Sequence, residues 1–565
     1  MALEKQIYDE FKSIVGENNI SQSPIVLETY RCITAQSSAH YGPYEQKTPC
    51  PQAVLMPVST EEVQKIVLLC NKYKISFKAS GTFWSSQGFI GTDNAIQLDM
   101  RRMRSIYIDE KNMTAIIEPY TTAVMIQAEA MKHGLTPNIG GMGCGSSVLA
   151  STAGWQGPGP SSLYTGTAYD NLICAEWVLP NGEVIKTGSA GGGEGWFHGD
   201  GIGPSVRALL RGAIGTAGDM GICTKMSIKL APWYGPKVIP LRGSAPAYRA
   251  CLDKNMRAYT ICFPSWDAWA RATQYFHETR ILFAGHRQFN MFGRDIKCGM
   301  VKILNDSEKQ LCDLNQLLAD PETIEQNKNM KIDMQVVITG SSELDTEYKE
   351  KALDEILRLT GGWKSEMMQE KDFHDWLLMF MLRMGHKNLN FALCGAYEGH
   401  FGLSRTNYYL SASVVEEASA IKRENELNGT YMAAVGGNSC MGGLSGIGGG
   451  GAVSWEFFAH FDAHEKESIR GVCEYFKISN KWMADKGLGG CMGKLNESSR
   501  TPEGYNRSQE DHNAMFSKTA QPEVFEYQYI VKELLNPNNL TGTYYKTVDP
   551  KVVDKSLAGS VGVFV

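Results

Sequence analysis

The sequence predicts an α+β protein of two or more domains, and three observations carry that reading. At 565 residues the chain is too long for a single hydrophobic core. Its first third passes from a short apolar strand to a capped amphipathic helix, then to a second strand that runs into a turn of small residues. Farther on, stretches that alternate at strand period (Met334 to Thr339, Ser454 to Ala459) stand beside segments of helical character (Ala352 to Leu359, Glu465 to Phe476).

Composition narrows the function classes. With 43% hydrophobic and 21% charged residues the chain has material for large cores and no sign of general disorder. A net charge of -6, a pI near 6.1 and the lack of a lysine- and arginine-rich run argue against nucleic-acid binding, so the expected partner is a small molecule. The 14 cysteines are scattered singly with no Cys-x-x-Cys pair, which excludes the usual zinc and iron–sulfur spacings. Met1 to Gln6 lacks an apolar signal core, and the longest apolar run, Trp376 to Leu382, is far too short to span a bilayer. Free thiols without an export signal suit a reducing cytoplasm.

In chain order, Leu3, Ile7, Phe11 and Ile14 recur at helical spacing and predict an opening amphipathic helix. Ala53 to Pro57 reads as a short buried strand. Ser59-Thr60-Glu61-Glu62 has the pattern of a capping box in front of Val63, Ile66, Val67 and Cys70, the apolar face of a helix ending near Tyr73. Ile75 to Phe77 leads into Lys78-Ala79-Ser80-Gly81-Thr82-Phe83-Trp84-Ser85-Ser86, a turn whose small residues let main-chain N–H groups and hydroxyls converge on a phosphate. Taken alone, the same segment is also compatible with an ordinary surface loop.

Strands at Ala95 to Met100 and Thr114 to Tyr120 follow, then a helix from about Ala123 to His133 stopped by Gly134. From Gly140 to Asn171 the chain is dominated by Gly, Ser, Thr and Pro. A structureless stretch of roughly 30 residues is uncommon in a compact domain unless it is functional, so it reads as the second wall of a ligand trough. Leu172 to Leu179 and Glu183 to Thr187 flank Pro180-Asn181-Gly182, a strong hairpin signal. Gly212 to Thr224 makes a third glycine-rich approach and passes into a strand from Lys225 to Leu230.

These segments together resemble the vanillyl-alcohol oxidase family of flavoproteins, whose FAD domain is called PCMH-type, and within it the branch of glycolate oxidase and D-lactate dehydrogenase. The resemblance rests on the strand into Ala79-Ser80-Gly81-Thr82, the block from Ser146 to Gly166-Thr167-x-x-Asp170-Asn171, the Asn-Gly hairpin, and Gly215-Thr216 with Gly221 to Thr224. It implies FAD in a groove between two α/β subdomains, roofed by a cap with an antiparallel sheet and flanking helices. The implied domains are residues 1–235 (core about 45–235) for FAD, 236–520 for the substrate cap, and 521–565 returning to the FAD domain.

Carried over by position, Lys78, Ala79, Ser80, Gly81, Thr82, Ser85 and Ser86 are implied to hold the pyrophosphate. Ser146, Ser147, Thr152, Gly166, Thr167 and Asp170 are implied to line the ribityl and ring side, and Ile222 to meet the adenine end through its backbone. Covalent members carry a histidine in the first loop where this chain has Phe83 and Trp84, so the FAD is expected to be noncovalent.

Flavin chemistry needs a C–H bond placed over the ring and a base for the accompanying O–H proton. The candidates are His460 and His464, with His400, Tyr408 and Tyr409 behind them. Most of the 11 histidines in so long a chain must be ordinary, and a His-x-x-x-His metal site requires a helix where this segment reads as strand and loop. No metal is expected.

The His-x-Gly-Asp-Gly-Asn element of the 2-hydroxy-acid branch is missing. Gly436 to Gly451 stands in its place, as a lid or a linker, while Gly201 to Ser205 looks more like the phenol-oxidising branch. The expected function is an FAD-dependent dehydrogenase or oxidase that takes a hydride from a 2-hydroxy acid or from an aryl alcohol or alkylphenol. Lacking a cluster motif of its own, it is expected to pass electrons to oxygen, a quinone, an electron-transferring flavoprotein or an iron–sulfur subunit. Family members often form homodimers. The rival expectation is a non-redox protein whose loops cradle a sugar nucleotide or another phosphate ligand.

Overall fold

A computed structural model describes residues 2–31, 49–83, 88–138, 145–154, 160–166, 168–199, 220–242, 249–286, 332–365, 395–405, 445–447, 452–461 and 522–541. The first unit comprises α1 (Lys5–Val15), β1 (Ile20–Ser21), α2 (Pro24–Thr29), β2 (Ala53–Leu55), α3 (Thr60–Tyr73), β3 (Ser76–Ser80) and β4 (Ala95–Asp99). Its sheet has the order β1-β2-β4-β3, with β2, β4 and β3 parallel in the registers Val54↔Gln97 and Ala79↔Leu98.

Phe11 from α1, Val63, Ile66, Val67 and Cys70 from α3, and Phe77, Ile96 and Leu98 from the strands form one core. The N-cap of α3 is half of the expected capping box. Ser59 Oγ accepts from Glu62 N, but the Glu62 carboxylate accepts from Val58 N rather than from the cap residue itself.

The second unit adds β5 (Ile106–Asp109), β6 (Thr114–Ile117), α4 (Ala123–Lys132), β7 (Leu135–Thr136), α5 (Val148–Gly154), α6 (Ser162–Thr165), β8 (Leu172–Val178), β9 (Val184–Lys186) and β10 (Ile222–Lys229). Its sheet, ordered β5-β6-β10-β8-β9, is antiparallel throughout. The Asn-Gly turn closes β8 onto β9, with Gly182 at a φ of 91° that an L side chain adopts only with strain.

One expectation is corrected. The stretch from 140 to 171 is not structureless where it is described, because residues 148–154 and 162–165 are helical. Val148, Leu149 and Ala153 are buried in the second core, so three apolar anchors override the small-residue composition.

Buried Glu176 on β8 joins the two units. Its carboxylate accepts from Thr60 Oγ1 on α3 at 2.6 Å and from Thr224 Oγ1 on β10 at 3.2 Å, and pairs with Lys186 at 3.2 Å. Burial raises the carboxyl pKa, but the Thr60 hydroxyl and the Lys186 and Lys225 ammonium groups outweigh it and hold the group below the usual carboxylate range.

Beyond β11 (Ala231–Pro232), β12 (Leu241–Arg242) and β13 (Arg249–Ala250), a third unit contains β14 (Met256–Phe263), α7 (Trp266–Thr279), β15 (Ala284–His286), β16 (Ile332–Thr339), α8 (Glu343–Thr360) and β17 (Trp363–Lys364). Its antiparallel sheet runs β15-β16-β14-β17, and α7 and α8 pack against each other and against β14. A further antiparallel sheet, β18-β20-β19, is made of β18 (Gly395–Arg405), β19 (Ser445–Ile447) and β20 (Ala452–Phe461).

The last described helix, α9 (Pro522–Leu535), lays Val531 and Leu535 on the second core. The segment after it returns to the first sheet, where Leu540 O accepts from Phe77 N at 2.8 Å on the free edge of β3. The mixed α+β architecture agrees with the sequence expectation. Among the described residues no helix is long and apolar enough to cross a membrane.

Candidate functional site

The first wall of the site is the turn at the carboxyl end of β3, where an open parallel sheet places its ligands. Lys78 and Ser80 are buried, and Ser80 Oγ accepts from Phe83 N at 3.1 Å. Buried Gln97 on β4 donates from Nε2 to Lys78 O and to Gly88 O, both at 3.0 Å, and so ties the entry of the loop to its exit.

Phe83 adopts a left-handed φ of 54°, and its ring stands edge-on to Tyr30 at 5.4 Å. The Tyr30 hydroxyl donates to Asp99 Oδ2 at 2.7 Å, and burial together with that carboxylate pushes the phenol pKa up. Ser85 and Ser86 lie outside the described residues.

The two walls meet at Gly81 and Ser147. A Cβ on Gly81 would lie 2.5 Å from Pro119 O and 3.0 Å from Ser147 Cβ, so only glycine allows this approach. Ser147 N donates to Thr82 Oγ1 at 3.2 Å. Its hydroxyl donates to Pro119 O at 2.6 Å and accepts from Ala150 N at 3.1 Å, capping α5. Neighbouring Ser146 is also buried, and its carbonyl accepts from Ala123 N at the start of α4.

The second wall runs along α5 and α6. Thr152 on α5 is 1% exposed, and its hydroxyl has no hydrogen-bond partner. α6 ends at Gly166, with φ 76°. That turn is held by Asn138, whose Nδ2 donates to Gly166 O at 2.7 Å and to Thr165 Oγ1 at 3.0 Å. Asp170 is exposed beside Gly166, where an added Cβ would stand 3.2 Å from Asp170 Oδ2. Thr167 lies outside the described residues. The Ile222 side chain belongs to the first core, which leaves its main chain as the part a ligand can meet.

The structure thus joins Gly81 and Thr82 to Ser147 in one contact, with Lys78 to Ser80 and Ser146 adjoining them in the chain, and places Thr152, Gly166 and Asp170 along the second wall. Three buried polar atoms in these walls lack partners: Thr152 Oγ1, Asn138 Oδ1 and Gln97 Oε1. An unpaired buried polar group costs about 1–3 kcal/mol, and these three are among eleven such atoms in the described residues, so the two walls have hydrogen-bonding capacity left for a ligand.

Sequence reasoning does not single out Gln97 or Asn138. The available signals are a lone amide within the apolar strand Ala95 to Met100 and a polar residue directly after Pro137.

Toward the third unit, Gly285 N on β15 donates to Pro160 O at 2.8 Å, and Tyr164 of α6 packs on Phe283 at 5.5 Å. β19 lies alongside both α6 and β15. His400 and His460 belong to the same sheet as β19. His460 is in register with Ala396, while His400 falls at the irregularity between Gly399 and Gly402. His464, Tyr408 and Tyr409 lie outside the described residues.

Comparison with known proteins matches residues 51–188 to a family of FAD binding domains. The chain is 26% identical over 231 residues to the mitochondrial cytochrome-linked D-lactate dehydrogenase of Arabidopsis thaliana, covering 40% of this chain and 37% of that protein. It is 30% identical over 200 residues to the GlcD subunit of glycolate oxidase from Bacillus subtilis, covering 34% and 39%. The chain therefore spans well under half the length of these two relatives. Among solved structures, substrate-bound p-cresol methylhydroxylase superposes with a TM-score of 0.69 at 15% identity, covering 97% of each chain, which is a likeness of fold.

Proposed function

We propose that the chain is a member of the vanillyl-alcohol oxidase, or PCMH-type, family of FAD-linked oxidoreductases and acts as an FAD-dependent dehydrogenase or oxidase of small alcohols or phenols. The observation that carries the reading is the close contact of the two walls. Gly81 lets the first loop press on Pro119 and Ser147, and the two walls hold three unpaired buried polar atoms, on Gln97, Asn138 and Thr152.

In this reading the turn from Lys78 to Thr82 holds the diphosphate through amides and hydroxyls. Thr152, Gly166 and Asp170 hold the flavin half. When bound, the flavin supplies a two-electron acceptor for hydride from a C–H bond. The protein must then orient the substrate, exclude water and take up the O–H proton. We assign that last task to an imidazole nitrogen of His460 or His464, with His400 and Tyr408 as further candidates.

The substrate is a 2-hydroxy acid or an aryl alcohol or alkylphenol. The electrons leave to oxygen, a quinone, an electron-transferring flavoprotein or an iron–sulfur subunit. Noncovalent FAD follows from Phe83 and Trp84 at the loop position of the family's covalent histidine. The six free cysteines among the described residues suit a reducing cytoplasm, and a homodimer is the proposed assembly.

Purified protein should be yellow, with flavin absorption bands that remain in the supernatant after acid precipitation. Anaerobic addition of 2-hydroxy acids in one series and of alkylphenols and aryl alcohols in another should bleach those bands in one series. Colourless protein that takes up no FAD refutes the proposal.

A further inference from the structure

Asn138 stands where the second wall turns back on itself, between β7 and α6, and the residue is 7% exposed. A carboxamide offers two N–H donors and one carbonyl oxygen. Three acceptors surround Nδ2: Gly166 O at 2.7 Å, Thr165 Oγ1 at 3.0 Å and Ser162 Oγ at 3.3 Å. They fix the orientation of the amide, because a flip would press Oδ1 against the carbonyl of Gly166, an acceptor against an acceptor.

Oδ1 is left buried with no partner. Thr152 Oγ1, in the same wall, shares that condition, so the unmet hydrogen-bonding capacity is not confined to one atom. A well-formed turn with its donors used and its acceptor unpaired lacks one external donor.

On the part of FAD assigned to this wall, the available donors are the isoalloxazine N3–H and the ribityl hydroxyls. Resting on the FAD-binding reading, we infer that Asn138 is a direct flavin ligand, its Oδ1 accepting a hydrogen bond from N3–H or a ribityl hydroxyl while its Nδ2 holds the Gly166 turn.

The test is a protein–ligand double-mutant cycle on apoprotein, read as FAD dissociation constants by fluorescence titration. The ligands are FAD, N3-methyl FAD and FAD analogues deoxygenated along the ribityl chain. The proteins are wild type and Asn138→Leu. Loss of the acceptor in Asn138→Leu should weaken FAD about 5- to 100-fold.

Wild type should discriminate against one analogue class by about tenfold or more, and Asn138→Leu should lose that discrimination. A penalty confined to N3-methyl FAD assigns the ring N–H as the donor, and one confined to a deoxy analogue assigns the hydroxyl. If Asn138→Leu does not fold, Asn138→Ser, too short to reach the flavin, enters the cycle in its place.

Equal analogue penalties in wild type and variant would mean that Asn138 only braces the turn, and the inference falls while FAD binding stands. Wild-type apoprotein that binds no FAD overturns the functional reading itself, and this inference with it.

Discussion

Replacing Gly81 with alanine tests the contact on which the site is built. The added methyl carbon would stand 2.5 Å from Pro119 O and 3.0 Å from both Cβ and Oγ of Ser147. The nearest of these is backbone, held by the 2.6 Å bond from Ser147 Oγ, so it cannot swing aside as the end of a flexible side chain would. Relief requires the first loop to back away from the second wall by several tenths of an ångström or more, stretching the 3.2 Å bond from Ser147 N to Thr82 Oγ1.

Overpacking of this kind costs about 1–3 kcal/mol. If that cost appears when the ligand demands the closed arrangement, the dissociation constant for FAD rises about 5- to 150-fold, at about 1.4 kcal/mol per factor of ten. Apoprotein titrated with FAD and followed by flavin fluorescence gives the number, and the melting temperature of the apo form separates a binding loss from general unfolding. Binding within about twofold of wild type would refute the claim that the two walls must touch here.

Three further outcomes follow from packing and charge. Glu176→Gln removes the charge shared by Thr60, Thr224 and Lys186 and should lower stability at neutral pH by about 1–3 kcal/mol. Because the folded-state pKa of Glu176 is depressed, its contribution is present above the ordinary carboxylate range and lost as pH falls through the folded value. The gap in melting temperature between variant and wild type should therefore close on acidification, and a constant gap would exclude the ionic account. Asn536→Ala removes the acceptor for Leu540 N and the donor to Thr541, and amide exchange at Phe77 should accelerate relative to Val67 in α3. Iodoacetamide should label Cys50 and Cys251 in the native protein, whereas Cys70 and Cys223, their thiol pKa values pushed up by burial, should react only after unfolding.

The parts of the fold legible in the sequence are those set by local chemistry. Ser59 before an apolar helical face, Gly134 after one, and Asn-Gly between alternating strands each fix a backbone conformation within a few residues, and the structure follows all three. The strand over Ser76–Ser80 that leads into the small-residue turn is legible for the same reason.

The helix over 148–154 is hidden because Val, Ser, Thr and Gly carry weak helix propensity, and its formation depends on a core that Val148, Leu149 and Ala153 reach from elsewhere in the chain. Asn138 and Gln97 are hidden for a related reason. Each acts across loops distant in sequence, Asn138 on residues 162–166 and Gln97 on Lys78 and Gly88, and no local pattern records such a partnership.

The hydrogen bond between Phe77 and Leu540 sets an order of events during synthesis. The strand over Ser76–Ser80 is made long before Leu540, so its outer edge receives this partner only after Leu540 has been made. Premature stop codons upstream of residue 536 should release chains with a bare strand edge, prone to pair with one another and to be cleared by quality control.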